Sequence, residues 1–159
     1  LHSFPTRRSS DLEALHELIH KAPVFRSIGD MEALENAVVS RERQQSTGFG
    51  HGVAIAHGKL KGMGSIRVAL GISRKGIEFG SMDGKPVHLL FVVASPPEMQ
   101  LEYLLALSII TGLVRNPRFR EELMGCGDPD AIENRLCAAF RENLHFRMQN
   151  LHKTSGLTC

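Results

Sequence analysis

The chain contains no tryptophan, and no apolar stretch approaches the ~20 residues that a membrane-spanning helix needs. The longest apolar run, LLALSII at 104–110, has polar neighbours and fits a buried helix. Charge of one sign is missing too. Nineteen Lys and Arg against seventeen Asp and Glu leave a formal +2, too little to imply a nucleic-acid partner by itself. Cysteine is scarce and badly spaced for metal: Cys126, Cys137 and Cys159 are an odd set, all late in the chain. They read as reduced thiols of a cytoplasmic protein. The first residues lack the apolar core of a secretory signal. Neither a G-x-G-x-x-G dinucleotide fingerprint in its strand-turn-helix context nor a G-x-x-x-x-G-K-[ST] phosphate loop occurs.

What is present suits one globular domain: 159 residues, 42% of them hydrophobic, enough for a real core. The opening stretch HSFPTRRSSDL (His2–Leu12) stands apart, because it resembles the translation of one reading frame of a common sequencing-library adaptor. Residues 1–12 are therefore expected to be artefactual, to have no reason to pack apart from a fortuitous cap from Asp11 on the helix beginning near Glu13, and to stand where a natural first segment is missing. Residues 13–145 are expected to form the domain, and 146–159, poor in apolar positions, a flexible tail.

Along the domain, Leu15, Leu18 and Ile19 recur at helical spacing over Glu13–Ala22, before Pro23. Asp30 predicts the cap of a helix over Met31–Gln44. A polar, glycine-rich connection and a short strand Val53–Ala56 follow, then an alternating strand Ser65–Ser73. The continuous apolar run Val87–Ala94 predicts a strand covered on both faces. Helices are expected over Glu98–Val114, over Phe119–Met124, and from the Asp128–Pro129 cap to about Asn143. Intermixed strands and helices make the class α/β, with a small mixed sheet flanked by helices.

The chemistry concentrates in GFGHGVAIAHGKL (Gly48–Leu60), which places a histidine at each end of a short apolar run. An extended Gly52–His57 holds those two histidines ~20 Å apart, too far to share an ion. A neutral imidazole does attack phosphorus when its other nitrogen donates to a fixed acceptor. His57, at a strand end between Ala56 and Gly58, has the small neighbours that such a nucleophile wants. On the residues alone it stays open between that role and an ordinary strand histidine. His51 reads as a turn residue, and His16, His20, His145 and His152 as solvated helix positions.

RERQQSTGFGHGVAIAHGKL (Arg41–Leu60), followed by GIEFGSMDGKPVHLLFVVASPP (Gly76–Pro97), resembles the type-2 enzyme IIA domain of the bacterial phosphotransferase system. This is the fructose, mannitol and nitrogen-regulatory class, and the likeness runs from about Glu13 to Leu144. It implies that His57 accepts a phosphoryl group from the phosphocarrier HPr or its paralogue and passes it to a cysteine of a IIB domain. It implies no cofactor and no metal. The resemblance places Arg41 beside the phosphohistidine, where a guanidinium would hold phosphoryl oxygens; the alternative is a solvated helix-end arginine. Thr47 and Gly48 match a turn whose hydroxyl and backbone N–H groups would bind phosphate, with a purely conformational role for Gly48 and Gly50 as the alternative. His88 matches a histidine of many sugar-specific members, either close enough to His57 to polarise the phosphoryl group or a hydrogen-bonded core residue.

Two positions depart from the family pattern. Ala56 stands where a proline usually precedes the active histidine, and Gln100 where the mannitol branch has a second histidine. Gln100 donates hydrogen bonds but cannot become cationic. Three functions follow: relay to a sugar transporter, a phospho-switch acting on a protein partner, or a structural domain without turnover.

Overall fold

Small residues decide how the N-terminal half packs. The computed structural model describes residues 1–4 and 10–154. It divides the chain into two compact units, Leu1–Tyr103 and Leu104–Cys159.

The first unit is built on a five-stranded mixed sheet. Its strands are β1 (His2–Ser3), β2 (Gly48–Gly50), β3 (Val53–Lys59), β4 (Arg67–Ile77) and β5 (Val87–Ser95), in spatial order β1-β4-β5-β3-β2. β3 runs parallel to β5, while β4 and β2 run antiparallel to their neighbours β5 and β3. On one face Ala54, Ala56, Leu90, Val92 and Ala94 form the core with Leu15, Leu18, Ile19, Leu34 and Val38. Those last five come from helices α1 (Asp11–Lys21) and α2 (Met31–Gln44). Because β3 offers only Ala54, Ala56 and Gly58 on that face, α2 lies directly on the strand. A Cβ added at Gly58 would stand 2.7 Å from Val38 Cγ2 and 3.0 Å from its backbone N.

The expected α/β class and mixed sheet are what the structure shows, and so is the α2 cap: Asp30 accepts the Ala33 N–H at 2.8 Å. Every residue of β5 is buried except His88, as a strand covered on both faces requires. β3 runs three residues beyond the expected Val53–Ala56, because its ladder with β5 continues to Lys59↔Ser95. His57 is thus inside a strand.

Helix α3 (Gln100–Arg115) starts in the first unit and continues into the second, which adds α4 (Pro117–Gly125) and α5 (Pro129–Thr154). Within that unit Arg135 donates to Glu122 at 2.9 Å and Arg147 to Ser108 Oγ at 2.8 Å. α5 continues to Thr154, well past the Asn143 end and into the segment expected to be a flexible tail. No glycine or proline interrupts the sequence before Gly156, and Asn143 spends its side-chain amide on Ala139 O, one turn back. Residues 155–159 lie outside the described residues.

The start of the chain also needs correcting. His2 and Ser3 pair with Gly71 and Ile72, and the Phe4 ring fills the space that a side chain at Gly71 would take. Ser10 caps α1 in a reciprocal box with Glu13, and Leu12 packs on the core. The expectation that this stretch has no reason to pack fails for the described residues among 1–12. An aromatic at Phe4 and a serine three before a glutamate are packing and capping signals whatever their origin.

Candidate functional site

β3 alternates, so His57 and Lys59 point to the sheet face opposite the α2-covered residues Ala56 and Gly58. His57 is half-buried. Its Nδ1 faces the carbonyl of Ile55, on its own strand, at 3.5 Å. A proton on Nδ1 directed there leaves the Nε2 lone pair free. Burial pushes the His57 pKa below its ordinary value, and the charges of Arg41 and Lys59 push the same way, against the Ile55 carbonyl and Glu42. The ring is therefore held neutral, the form in which nitrogen is a nucleophile.

Around it stand Tyr103, with ring centroids 5.7 Å apart, and Lys59, whose Nζ donates to Gln100 Oε1 at 2.6 Å. Burial raises the pKa of Tyr103, with the charge of Arg41 pulling the other way. Arg41 acts electrostatically on both rings from the last turn of α2. Its Nη1 donates to Gln45 O at 3.0 Å, which fixes the guanidinium across the end of the helix.

Glu42, next to Arg41, is buried, and its carboxylate accepts the Thr47 N–H at 2.9 and 3.1 Å as well as the Thr47 hydroxyl. This closes the loop from α2 to β2 and fixes where the end of α2 lies. Thr47 therefore spends both donors inside the protein, and the Gly48 N–H donates to Ser46 Oγ at 3.2 Å. The phosphate-binding expectation for this pair gives way to a structural arrangement. Gly48 is there for room: a Cβ on it would approach Ser81 Cα to 2.7 Å. His51 sits at the tip of the β2–β3 turn with φ 57°, exposed, its N–H bonded to Asp83 Oδ2 at 2.9 Å.

His88 is elsewhere. In the parallel register Val93 lies beside His57, while His88 N donates to Gly52 O, five residues upstream along β3. Five residues of strand span about 16 Å. His88 Nδ1 faces Ser73 O at 2.8 Å, so it is a hydrogen-bonded strand histidine at the other end of the sheet. The expectation that it polarises a group on His57 is corrected by this register, which a sequence cannot reveal without the strand pairing.

The structure thus brings together His57, Arg41 and Tyr103, with Gln100 held through Lys59. Sequence reasoning missed Lys59. The available signal was its position two residues after His57, hence on the same face of the strand.

The sequence model of the family described as "Phosphoenolpyruvate-dependent sugar phosphotransferase system, EIIA 2" matches residues 4–138. The chain belongs to this family. It is a phosphotransferase component of the type-2 EIIA kind, and the match crosses both compact units. The chain is 34% identical over 124 residues to the "Nitrogen regulatory protein" of Bradyrhizobium diazoefficiens, covering 78% of this chain and 80% of that one. It is 35% identical over 105 residues to the "PTS system fructose-specific EIIABC component" of Bacillus subtilis; that match covers 66% of this chain and 16% of the relative. Among solved structures, the nitrogen regulatory protein IIA-Ntr from Neisseria meningitidis superposes with a TM-score of 0.74 at 28% identity, covering 85% and 90% of the two chains. No helix of the described residues is long and apolar enough to cross a membrane.

Proposed function

We propose that this EIIA domain relays a phosphoryl group through a transient phosphohistidine at His57, in the cytoplasm. The donor is HPr or a paralogue. The Nε2 lone pair attacks phosphorus as the donor's P–N bond breaks, and the new P–N bond is broken in turn by a cysteine thiolate of a IIB domain. The transition state is loose, so the protein's work is alignment and charge. Arg41 and Lys59 supply the charge, balancing the nearly two negative charges that the phosphoryl group brings. Gln100 does not carry charge itself but holds Lys59. The observation that carries this reading is the half-buried imidazole with one nitrogen directed at Ile55 O, its pKa lowered by burial and by the charges of Arg41 and Lys59. Leu101, exposed at 79% beside Gln100, gives a docking partner an apolar foothold.

A second reading, a phospho-switch that controls a protein partner, is favoured by one observation. The Bradyrhizobium nitrogen regulatory protein is matched over 80% of its own length, the fructose component over 16% of its. Both readings share His57 and differ in the acceptor. Incubation with phosphoenolpyruvate, enzyme I and HPr is expected to add one acid-labile phosphate, abolished in His57→Ala and retained in His51→Ala. Equal labelling of the two variants contradicts the assignment. Discharge onto a IIB domain then separates relay from switch.

A further inference from the structure

Away from His57, the stretch HELIH (His16–His20) in the C-terminal half of α1 has the H-E-x-x-H pattern that sets two imidazoles one helical turn apart. Reading these two histidines as solvated helix positions passed over it. The structure adds the third group. Glu35 of α2 lies between them, its Oε1 2.9 Å from His16 Nδ1 and its Oε2 2.7 Å from His20 Nε2. The rings are 4.5 Å apart, and one ligand atom from each of the three residues lies within 4.8 Å of the others.

We propose that His16, His20 and Glu35 bind a divalent transition ion of the zinc type. Two imidazoles and a carboxylate are a set that borderline metals take, with a fourth, open position left for water. Ligand atoms around a tetrahedral zinc stand roughly 3.3 Å apart, given bonds of about 2.0–2.1 Å. Small rotations of partly exposed side chains reach that geometry from the present one. Each ring now turns a nitrogen to the carboxylate. When the ion enters, each neutral imidazole carries its proton on the other nitrogen and offers the lone pair inward, so no net proton need be lost. Glu13 and Glu17 line the same depression, where Lys21 Nζ lies 3.6 Å from Glu17 Oε1, so the carboxylates there outnumber the ammonium group and do not repel a cation.

The site binds; it is not built to hydrolyse. In a metallopeptidase the glutamate of this pattern is the general base beside the metal-bound water. Here Glu17 is already engaged, 2.7 Å from His2 Nε2 and 3.6 Å from Lys21 Nζ. A bound ion would instead tie α1 to α2, the helix whose last turn carries Arg41 and Glu42.

Titration of the full chain with Zn(II) alone, at neutral pH in a non-coordinating buffer, tests this. One equivalent is expected to bind. His20→Ala and Glu35→Gln are each expected to weaken it at least tenfold, with folding checked by circular dichroism. His16→Ala, at a side chain 62% exposed, serves as a third variant should either fail to fold. His51→Ala, His57→Ala and the double Cys126→Ser/Cys137→Ser variant are expected to bind as the parent does, and Co(II) is expected to give a spectrum without a thiolate band. Binding that survives the ligand variants overturns the proposal, as does a thiolate band or no binding at about 1 mM.

Discussion

Lys59 Nζ donates to Gln100 Oε1 at 2.6 Å and lies 6.0 Å from the centroid of the Tyr103 ring, so three side chains around His57 are tied into one group. The cation of that group sits on the strand beside the reactive histidine, held by a helix-start glutamine that carries no charge. Lys59→Met is expected to slow phosphoryl transfer roughly tenfold. That is short of the 10²–10³ lost with a fully desolvated donor, because Lys59 is exposed and screened. Gln100→Ala, which frees the ammonium without removing it, is expected to slow transfer less. Stopped transfer with phospho-HPr measures both; equal rates in parent and Lys59→Met would remove the lysine from the mechanism.

Gly58 is the second test. A methyl there meets both the side chain and the backbone of Val38, so α2 has to shift, and Arg41 with it. Gly58→Ala is expected to destabilise the protein by about 1–3 kcal/mol through overpacking and to slow transfer as well. Urea unfolding together with the transfer rate checks this. An unchanged midpoint would mean that the helix can give way without cost.

The start of the chain supplies the third. Removing residues 1–10 takes away Phe4, packed on the core, and the Ser10 cap of α1. The expected loss is about 1–3 kcal/mol, the sum of one partly buried aromatic and one cap. An unchanged melting temperature would show that these contacts contribute nothing.

The acid limb of transfer is the fourth. Burial, Arg41 and Lys59 all lower the His57 pKa, so the nucleophilic form persists below pH 6.5, its ordinary value. The unfolded chain binds that proton more readily. The contribution of His57 to stability is therefore whole above pH 6.5 and declines as pH falls from there towards the lowered folded value. NMR titration is expected to place His57 below 6.5 and to move it upward in Lys59→Met. A His57 value at or above 6.5 would contradict the burial argument.

Much of this site was legible before the fold. The V-A-I strand, His57 and Gly58, and the arginine–glutamate pair at the end of a capped helix stand in the sequence as a pattern. What it does not write down is register. Whether His88 or Val93 neighbours His57 depends on how β5 slides along β3, and both strands are uniformly apolar enough to leave that open. Nor does sequence say which donors are already spent. Thr47 looks like a phosphate binder until the buried Glu42 is seen to take both its N–H and its hydroxyl. The His16–Glu35 contact was hidden for a third reason, since it joins two helices whose docking comes from core residues on other faces.

The most direct measurement of the central claim is nitrogen-15 and phosphorus-31 NMR of the protein phosphorylated through HPr, with histidines assigned by single substitutions. The account predicts one phosphohistidine, His57, with phosphorus bonded to Nε2 and the proton on Nδ1. A phosphate on any other residue, or on Nδ1 of His57, would contradict it.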